Sequence, residues 1–205
     1  MPMPKLTLSK ASFLKESKQL AGYERFLPSL DLKRKQLVIE QSREEVEHQR
    51  LHLELETLVN ETVDQLPMLG NPEMDFKDLV SVKNVAYGEE NRLGVSLPII
   101  EGVDIEVKKY GLLTKPHWVD LLVSRLSRAC ELKIRVANAE KRVECMRNAT
   151  RKATQRVNLV SKILIPHALK NIRKIQIFLS DNERAAVVRS KIAKKKKLES
   201  AHGNS

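Results

Sequence analysis

The chain has 205 residues, with aromatics at 4%, charged residues at 31% and a formal net charge of +11. So few aromatics and glycines among so many charges argue against a compact α/β core and for long helices. No apolar run is long enough to span a bilayer, and the opening MPMPKLTLSKASFLKESK has neither an apolar h-region nor a small-residue cleavage site, so no secretory signal is expected.

The N-terminal third carries a ladder at alternating steps of three and four: Phe13, Glu16, Leu20, Tyr23, Leu27, Leu30, Arg34, Leu37, Gln41, Glu44, His48, Leu51, Leu55 and Leu58. That is the a/d rhythm of a coiled coil. The middle of the seam is polar, at Arg34, Gln41, Glu44 and His48. The pattern predicts a helix from about Ser9 to about Gln65, within an N-terminal segment 1–66. Pro28 lacks a backbone donor and its ring clashes with the carbonyl of Glu24, which predicts a kink or break there.

Residues 67–115 differ in character. Pro67, Gly70, Pro72, Gly88, Gly94, Pro98, Gly102 and Gly111 punctuate them and end the first helix. Val95 to Ile100 and Val103 to Val107 read as short β runs separated by Glu101-Gly102, which suggests a small hairpin with Pro98 in its first run. Thr114 or Lys115 can cap the next helix, with Pro116 in its first turn.

The second helix is expected over 116–198, on the order of 120 Å of α-helix, with a flexible tail at 199–205. Its ladder is Trp118, Leu122, Arg125, Ala129, Leu132, Val136, Ala139, Val143, Met146, Thr150, Ala153, Val157, Val160 and Leu164, and only Arg125 and Thr150 are polar. The remaining positions are crowded with Lys, Arg, Asn, Gln and Ser, so no second buried face and no pocket are expected. After Leu164 the ladder shifts to Ala168, Ile172, Ile175 and Leu179. The extra step of four is a stutter, and Pro166 beside it predicts a mild bend. Two such helices joined by a compact segment fold back most simply as an antiparallel pair. The expected class is all-α: a long antiparallel two-helix coiled coil with a small Gly/Pro-rich segment, fitting a β-hairpin, at the turn end. A rod of this kind suggests mechanics or scaffolding before chemistry.

Charge is uneven. Residues 1–115 hold 16 Lys+Arg and 19 Asp+Glu, net −3, while residues 116–205 hold 21 and 7, net +14. Such asymmetry raises nucleic acid as a partner. The basic residues spread along the helix without base-stacking aromatics, which favours a basic helix beside acidic protein surfaces. The same holds for Lys194 to Lys197, against nucleic acid or anionic lipid. Cys130 and Cys145 form no CxxC or Cys/His cluster and read as reduced thiols. His48 and His52, four apart beside Glu44, Glu45 and Glu47, have a metal-compatible spacing, but no third ligand stands out. A di-metal bundle enzyme would need Glu-x-x-His pairs on several helices. The chain has no GxxxxGK(S/T) loop, no GxGxxG and no nucleophile elbow, so no catalytic, cofactor or metal site is expected.

Leu30-Asp31-Leu32-Lys33-Arg34-Lys35-Gln36-Leu37 resembles the basic heptad near the start of the D subunit of the V-type and A-type rotary ATPases. The stronger resemblance runs through Val157-Asn158-Leu159, Ile163-Leu164-Ile165-Pro166, Asn171-Ile172-Arg173-Lys174-Ile175, Ile177-Phe178-Leu179-Ser180-Asp181 and Arg184 to Lys194. Pro28, Ala168 and Leu169 depart from the family pattern, and the middle segment matches loosely. The resemblance implies the central rotor shaft, which is non-catalytic and has no cofactor. Its implied partners are the alternating catalytic and non-catalytic head subunits (A and B), the small F subunit of the stalk and the funnel-shaped C/d subunit above the membrane ring. It implies no direct nucleic acid, membrane contact only through the complex, and a peripheral place on the cytoplasmic face. The residues expected to contact the head are Lys33, Arg34 and Lys35 on the first helix, with Arg173, Lys174, Arg184, Arg189 and Lys191 on the second. The alternative function is a basic coiled-coil scaffold associated with nucleic acid.

Overall fold

A computed structural model describes residues 7–70, 79–108 and 118–202. In chain order these are α1 (Lys10–Gln65), a 3-10 turn (Pro67–Gly70), β1 (Val80–Arg92), β2 (Val95–Val107), α2 (Trp118–Asn158), a π-helical stretch (Leu159–Leu164) and α3 (Ile165–His202). The expected capping by Thr114 or Lys115 and Pro116 lies outside the described residues. The chain divides into two units, Arg34–Lys152 and Met1–Lys33 with Ala153–Ser205.

In the unit Arg34–Lys152, α1 and α2 pair antiparallel. Gln65 meets Arg125, Glu54 meets Arg128, and Glu44 meets Arg142. Every ladder rung in this unit is buried or half-buried. Leu51, Leu132 and Ala139 form a buried cluster flanked by Leu55, Leu58 and Val136. Burying each leucine contributes about 1.5–3 kcal/mol, whereas an exposed ion pair such as Arg128–Glu54 adds at most about 1 kcal/mol. The apolar rungs therefore hold the pair together, and the charges tune it.

The expectation of a single buried face on α2 is corrected. Val119, Val123 and Asn138 are buried off the ladder. Val119 and Val123 join Leu122, Leu66 and Leu79 in a second core, with Val80, Trp118 and Leu126 against it. The start of β1 thus anchors on the end of the coiled coil.

The hairpin is also not the one the two short runs suggest. Val95–Ile100 and Val103–Val107 are halves of one strand, β2, which pairs antiparallel with β1 from Val80↔Val107 to Arg92↔Val95. The turn is Leu93-Gly94, where both φ values are positive, 53° and 79°. A two-residue hairpin loop of this hand matches the strand twist. The Asn91 side-chain oxygen accepts from the Gly94 N–H at 3.0 Å and closes it. Glu101 is the extra residue of a bulge between the pairs Ala86↔Gly102 and Tyr87↔Ile100. Its carboxylate lies over Gly88, where a Cβ would collide with it. With only two strands each has a free edge, so Pro98 is tolerated.

In the other unit, Ser9 caps α1 by accepting from the Ser12 N–H at 3.2 Å. The helix passes Pro28 without the expected break. The ring removes one i→i−4 bond, and the flanking turns carry the helix across. Ser29 adds a side-chain bond to the Phe26 carbonyl at 2.8 Å. Asn171 of α3 donates to Glu16 of α1 at 3.3 Å, and Ala168 and Ile175 are buried. The stutter after Leu164 coincides with the π stretch, where the Ile165 N–H bonds the Val160 carbonyl five residues back. A π turn holds more residues than an α turn, the direction an extra step of four requires. It also widens the backbone just ahead of Pro166. α3 continues to His202, beyond the boundary expected at 198, and its described residues from 181 to 197 are all exposed.

Candidate interaction surface

The polar middle of the α1 seam has no partner that the sequence pattern identifies. Glu44 sits there at a core rung, and its side chain is 6% exposed. A lone carboxylate at such a position would cost several kcal/mol. Arg142 of α2 meets it in a two-pronged pair: Nε to Glu44 Oε2 at 2.7 Å and Nη2 to Oε1 at 2.8 Å. The planar guanidinium fits a carboxylate in this fork geometry. Glu44 holds the Arg142 pKa above its usual value, against the opposing effect of burial.

The hairpin closes on this pair. Arg92 Nη1 donates to Glu44 Oε1 at 3.0 Å, and Arg92 Nε donates to Glu90 Oε1 at 2.7 Å. Arg142 also reaches Glu90 Oε2 at 3.4 Å and the Pro98 carbonyl at 3.3 Å. Asn138 Nδ2 donates to the same carbonyl at 3.1 Å. Glu90 is held below the usual carboxylate range, chiefly by its bond from Arg92 and next by the charges of Arg92 and Arg142. Leu97, two residues past the start of β2, is fully buried. Three elements therefore share one ionic cluster, and Glu44 is tolerated at mid-seam because it meets Arg142 of α2 and Arg92 of the hairpin. Sequence reasoning missed Arg142, Arg92, Glu90 and Asn138. The polar run Gln41, Glu44, His48 was the one signal that something polar had to meet them.

Between this cluster and the apolar base of the hairpin, β2 stands off the coiled coil over a cleft of about 640 Å³. Ile99, Ile100 and Val103 line it on the hairpin side, and Arg43, Arg50 and Arg135 on the helical side. The expectation of no pocket is corrected to that extent. The cleft's lining residues include no Ser, Thr, Cys, His or Lys. Among the described residues no three His, Cys, Asp or Glu side chains cluster in a way that holds a metal. His52 lies beside Glu56 at 3.4 Å, and Cys130 and Cys145 are free and half-buried. Arg125, a polar rung of the α2 ladder, bonds Gln65 at 3.2 Å and lies 3.7 Å from Glu61.

Of the residues expected to meet partners, Lys33, Lys35, Arg173, Lys174, Arg184, Arg189 and Lys191 are exposed, and Arg34 is half-buried as a seam rung. On α3 the exposed cations are interspersed with the exposed apolar side chains Ile177, Phe178, Val187, Val188 and Ile192. Such a surface offers charge contacts and apolar contacts together. No described helix is long and apolar enough to cross a membrane.

Comparison with known proteins gives a consistent assignment. The profile of a family described as the D subunit of ATP synthase matches residues 12–195. The D subunit of a V-type ATP synthase from Borreliella burgdorferi is 34% identical over 192 residues, covering 94% of this chain and 95% of that one. Its counterpart of the same description from Chlamydia abortus is 31% identical over 195 residues, covering 92% of each, and that from Chlamydia felis is 29% identical over 195 residues, covering 93% of each.

Proposed function

Because the chain belongs to the D-subunit family of the ATP synthases, we propose that it is the non-catalytic central shaft of a V/A-type rotary ATPase, carrying torque between the membrane ring and the catalytic head. The observation that supports this most is the pairing of two long helices along one seam, with a C-terminal helix whose residues 181–197 are all exposed. A seam of interlocked apolar rungs resists shear. An exposed tip bearing cations and apolar side chains is suited to touching several different surfaces in turn. In this reading the catalytic and non-catalytic head subunits (A and B) surround the helical tip, the small F subunit and the funnel-shaped C/d subunit hold the lower part, and the membrane is reached only through them. Each catalytic interface has open and closed arrangements, and the shaft face that touches it biases which is populated. Turning the shaft changes nucleotide affinity site by site, and by reciprocity nucleotide binding turns the shaft. Lys33, Arg34, Lys35, Arg173, Lys174, Arg184, Arg189 and Lys191 supply charge contacts to acidic loops, and ATP chemistry stays on other chains at the cytoplasmic face.

The test is what copurifies with the tagged chain from membranes washed at moderate salt. The reading expects the head subunits, the small F subunit and the funnel-shaped one in fixed stoichiometry. Recovery of nucleic acid and its binding proteins in their place would overturn it in favour of a basic scaffold.

A further inference from the structure

The hairpin touches the coiled coil at two places and stands off between them. At its open end Leu79 and Val80 pack on Leu66, Val119, Leu122 and Val123. At its turn end it is held by Leu97 and by the ionic cluster. The two attachments differ in kind. The base is an apolar core continuous with the end of the helical pair. The turn end rests on a charge pair that belongs to the helices: Glu44 and Arg142 bond each other directly, at 2.7 and 2.8 Å, through atoms of α1 and α2 alone. When the turn end lifts, this pair stays intact and gains water, so no lone charge is left buried. The groups that leave with the hairpin, Arg92 and Glu90, also keep each other as partners. Lifting therefore removes Leu97 from its site and breaks the bonds from Arg92 to Glu44, from Arg142 to Glu90, and from Arg142 and Asn138 to the Pro98 carbonyl, but strands no ion. β1 adds little to the closure, since most of its residues are exposed.

We propose that the hairpin is a strap hinged at its apolar base, with Arg92 and the Pro98 carbonyl forming a latch on the Glu44–Arg142 pair, and that it opens locally while the helical pair remains folded. Opening uncovers Ile99, Ile100 and the cleft below them. The device is independent of the shaft reading, because it is a property of the isolated chain.

An isolated two-stranded hairpin is marginally stable in water, so a lifted strap frays and its amides exchange with solvent. Hydrogen exchange of the full-length chain, followed by mass spectrometry, reads this. Arg92→Gln removes the latch cation without substituting any residue of either helix. Exchange at 84–91 and 95–103 is expected to quicken about tenfold, the factor that loss of one charge-assisted hydrogen bond brings. Exchange of the helical segments 37–51 and 132–146 is expected to stay at the parent rate. Lys83→Gln, which removes an exposed cross-strand pair with Glu106, is expected to leave the turn end unchanged. The double variant Glu44→Leu/Arg142→Leu, which keeps an apolar seam, should also free the turn end while the helices stay protected. If hairpin and helices quicken together in Arg92→Gln, the unit is one cooperative block and there is no strap. If Arg92→Gln leaves the turn end at the parent rate, the latch assignment is wrong.

Discussion

Arg142 and Glu44 are each worth more to stability as partners than as individuals. Arg142→Met alone leaves a carboxylate that is 6% exposed, with only Arg92 to answer it, and is expected to cost about 3–5 kcal/mol. Removing both with Glu44→Leu/Arg142→Leu should return the helical pair close to parent stability, since apolar side chains then replace both members of the charge pair and no lone charge is left. Urea unfolding followed by circular dichroism measures both, and equal losses in the single and double variants would show that the charges are not coupled. The surrounding carboxylates set a pH dependence. Glu45 is lowered by bonds from Gln41 and Arg147, Glu47 by Arg50, and Glu90 by Arg92. A carboxylate with a lowered folded value binds fewer protons folded than unfolded, so its contribution is present above the ordinary value of 4.5 and is lost as pH falls through the lowered one. The unfolding midpoint is therefore expected to lose this contribution only below about pH 4.5, and by a small amount, because these groups are solvent-accessible. A carboxylate-dependent loss already complete at pH 5 would contradict the assignment.

Among the elements, α2 offers the sharpest contrast between seam and surface. Val136 packs on the Leu51–Leu132–Ala139 cluster, so Val136→Asp places an unpaired charge in an apolar seam and should cost about 2–4 kcal/mol. Glu131 makes surface pairs with Arg128 and Arg135, and Glu131→Ala should stay within about 0.5 kcal/mol of the parent. Thermal unfolding distinguishes them, and equal shifts would mean the ladder is not the interface. The π stretch predicts a muted response to Pro166→Ala. A proline inside an α-helix costs about 3 kcal/mol, but here the backbone is already widened ahead of it, so the gain should stay below about 1 kcal/mol. Recovery of the full amount would show that the bulge does not relieve the ring. These cases mark what a sequence makes readable. The seam was legible because a coiled coil writes its contacts at fixed steps, and each rung from Phe13 to Leu58 and from Trp118 to Leu179 is at least half-buried. The hairpin was half legible. Val95 to Ile100 and Val103 to Val107 looked like strand, but as two arms of one hairpin; the true turn, Leu93-Gly94, lacks the Asn-Gly or Asp-Gly signature, and β1 reads as polar because most of it is exposed. The ionic cluster was not legible, since Arg142 meets Glu44 across 98 residues and Arg92 across 48, and no local pattern encodes either meeting.

For the whole molecule, the decisive comparison is between a shaft and a nucleic-acid scaffold, and α3 separates them. Truncation after Leu179 removes a stretch whose described residues from 181 to 197 are fully on the surface, so both seams should still form. If the tip works within the catalytic head, ATP-driven ion pumping in reconstituted vesicles should fall, in a graded way, because contacts are spread along the helices. A nucleic-acid tail predicts the reverse: pumping kept, and salt-sensitive duplex binding lost with the phosphate contacts. Unchanged pumping with lost DNA binding would rule against the shaft.

The antiparallel pairing also sets a timetable for synthesis. Glu16 and its partner Asn171 are 155 residues apart, and Glu44 and Arg142 are 98 apart. At roughly 5–20 residues per second, α1 leaves the ribosome on the order of 5–30 seconds before the residues that will cover it. The contacts close from the middle of the chain outward, so the first turns translated are the last to be paired. The polar rungs Arg34, Gln41, Glu44 and His48 then act before folding as well as after it. They interrupt the apolar stripe of a helix that must wait, bare on one side, among other newly made chains.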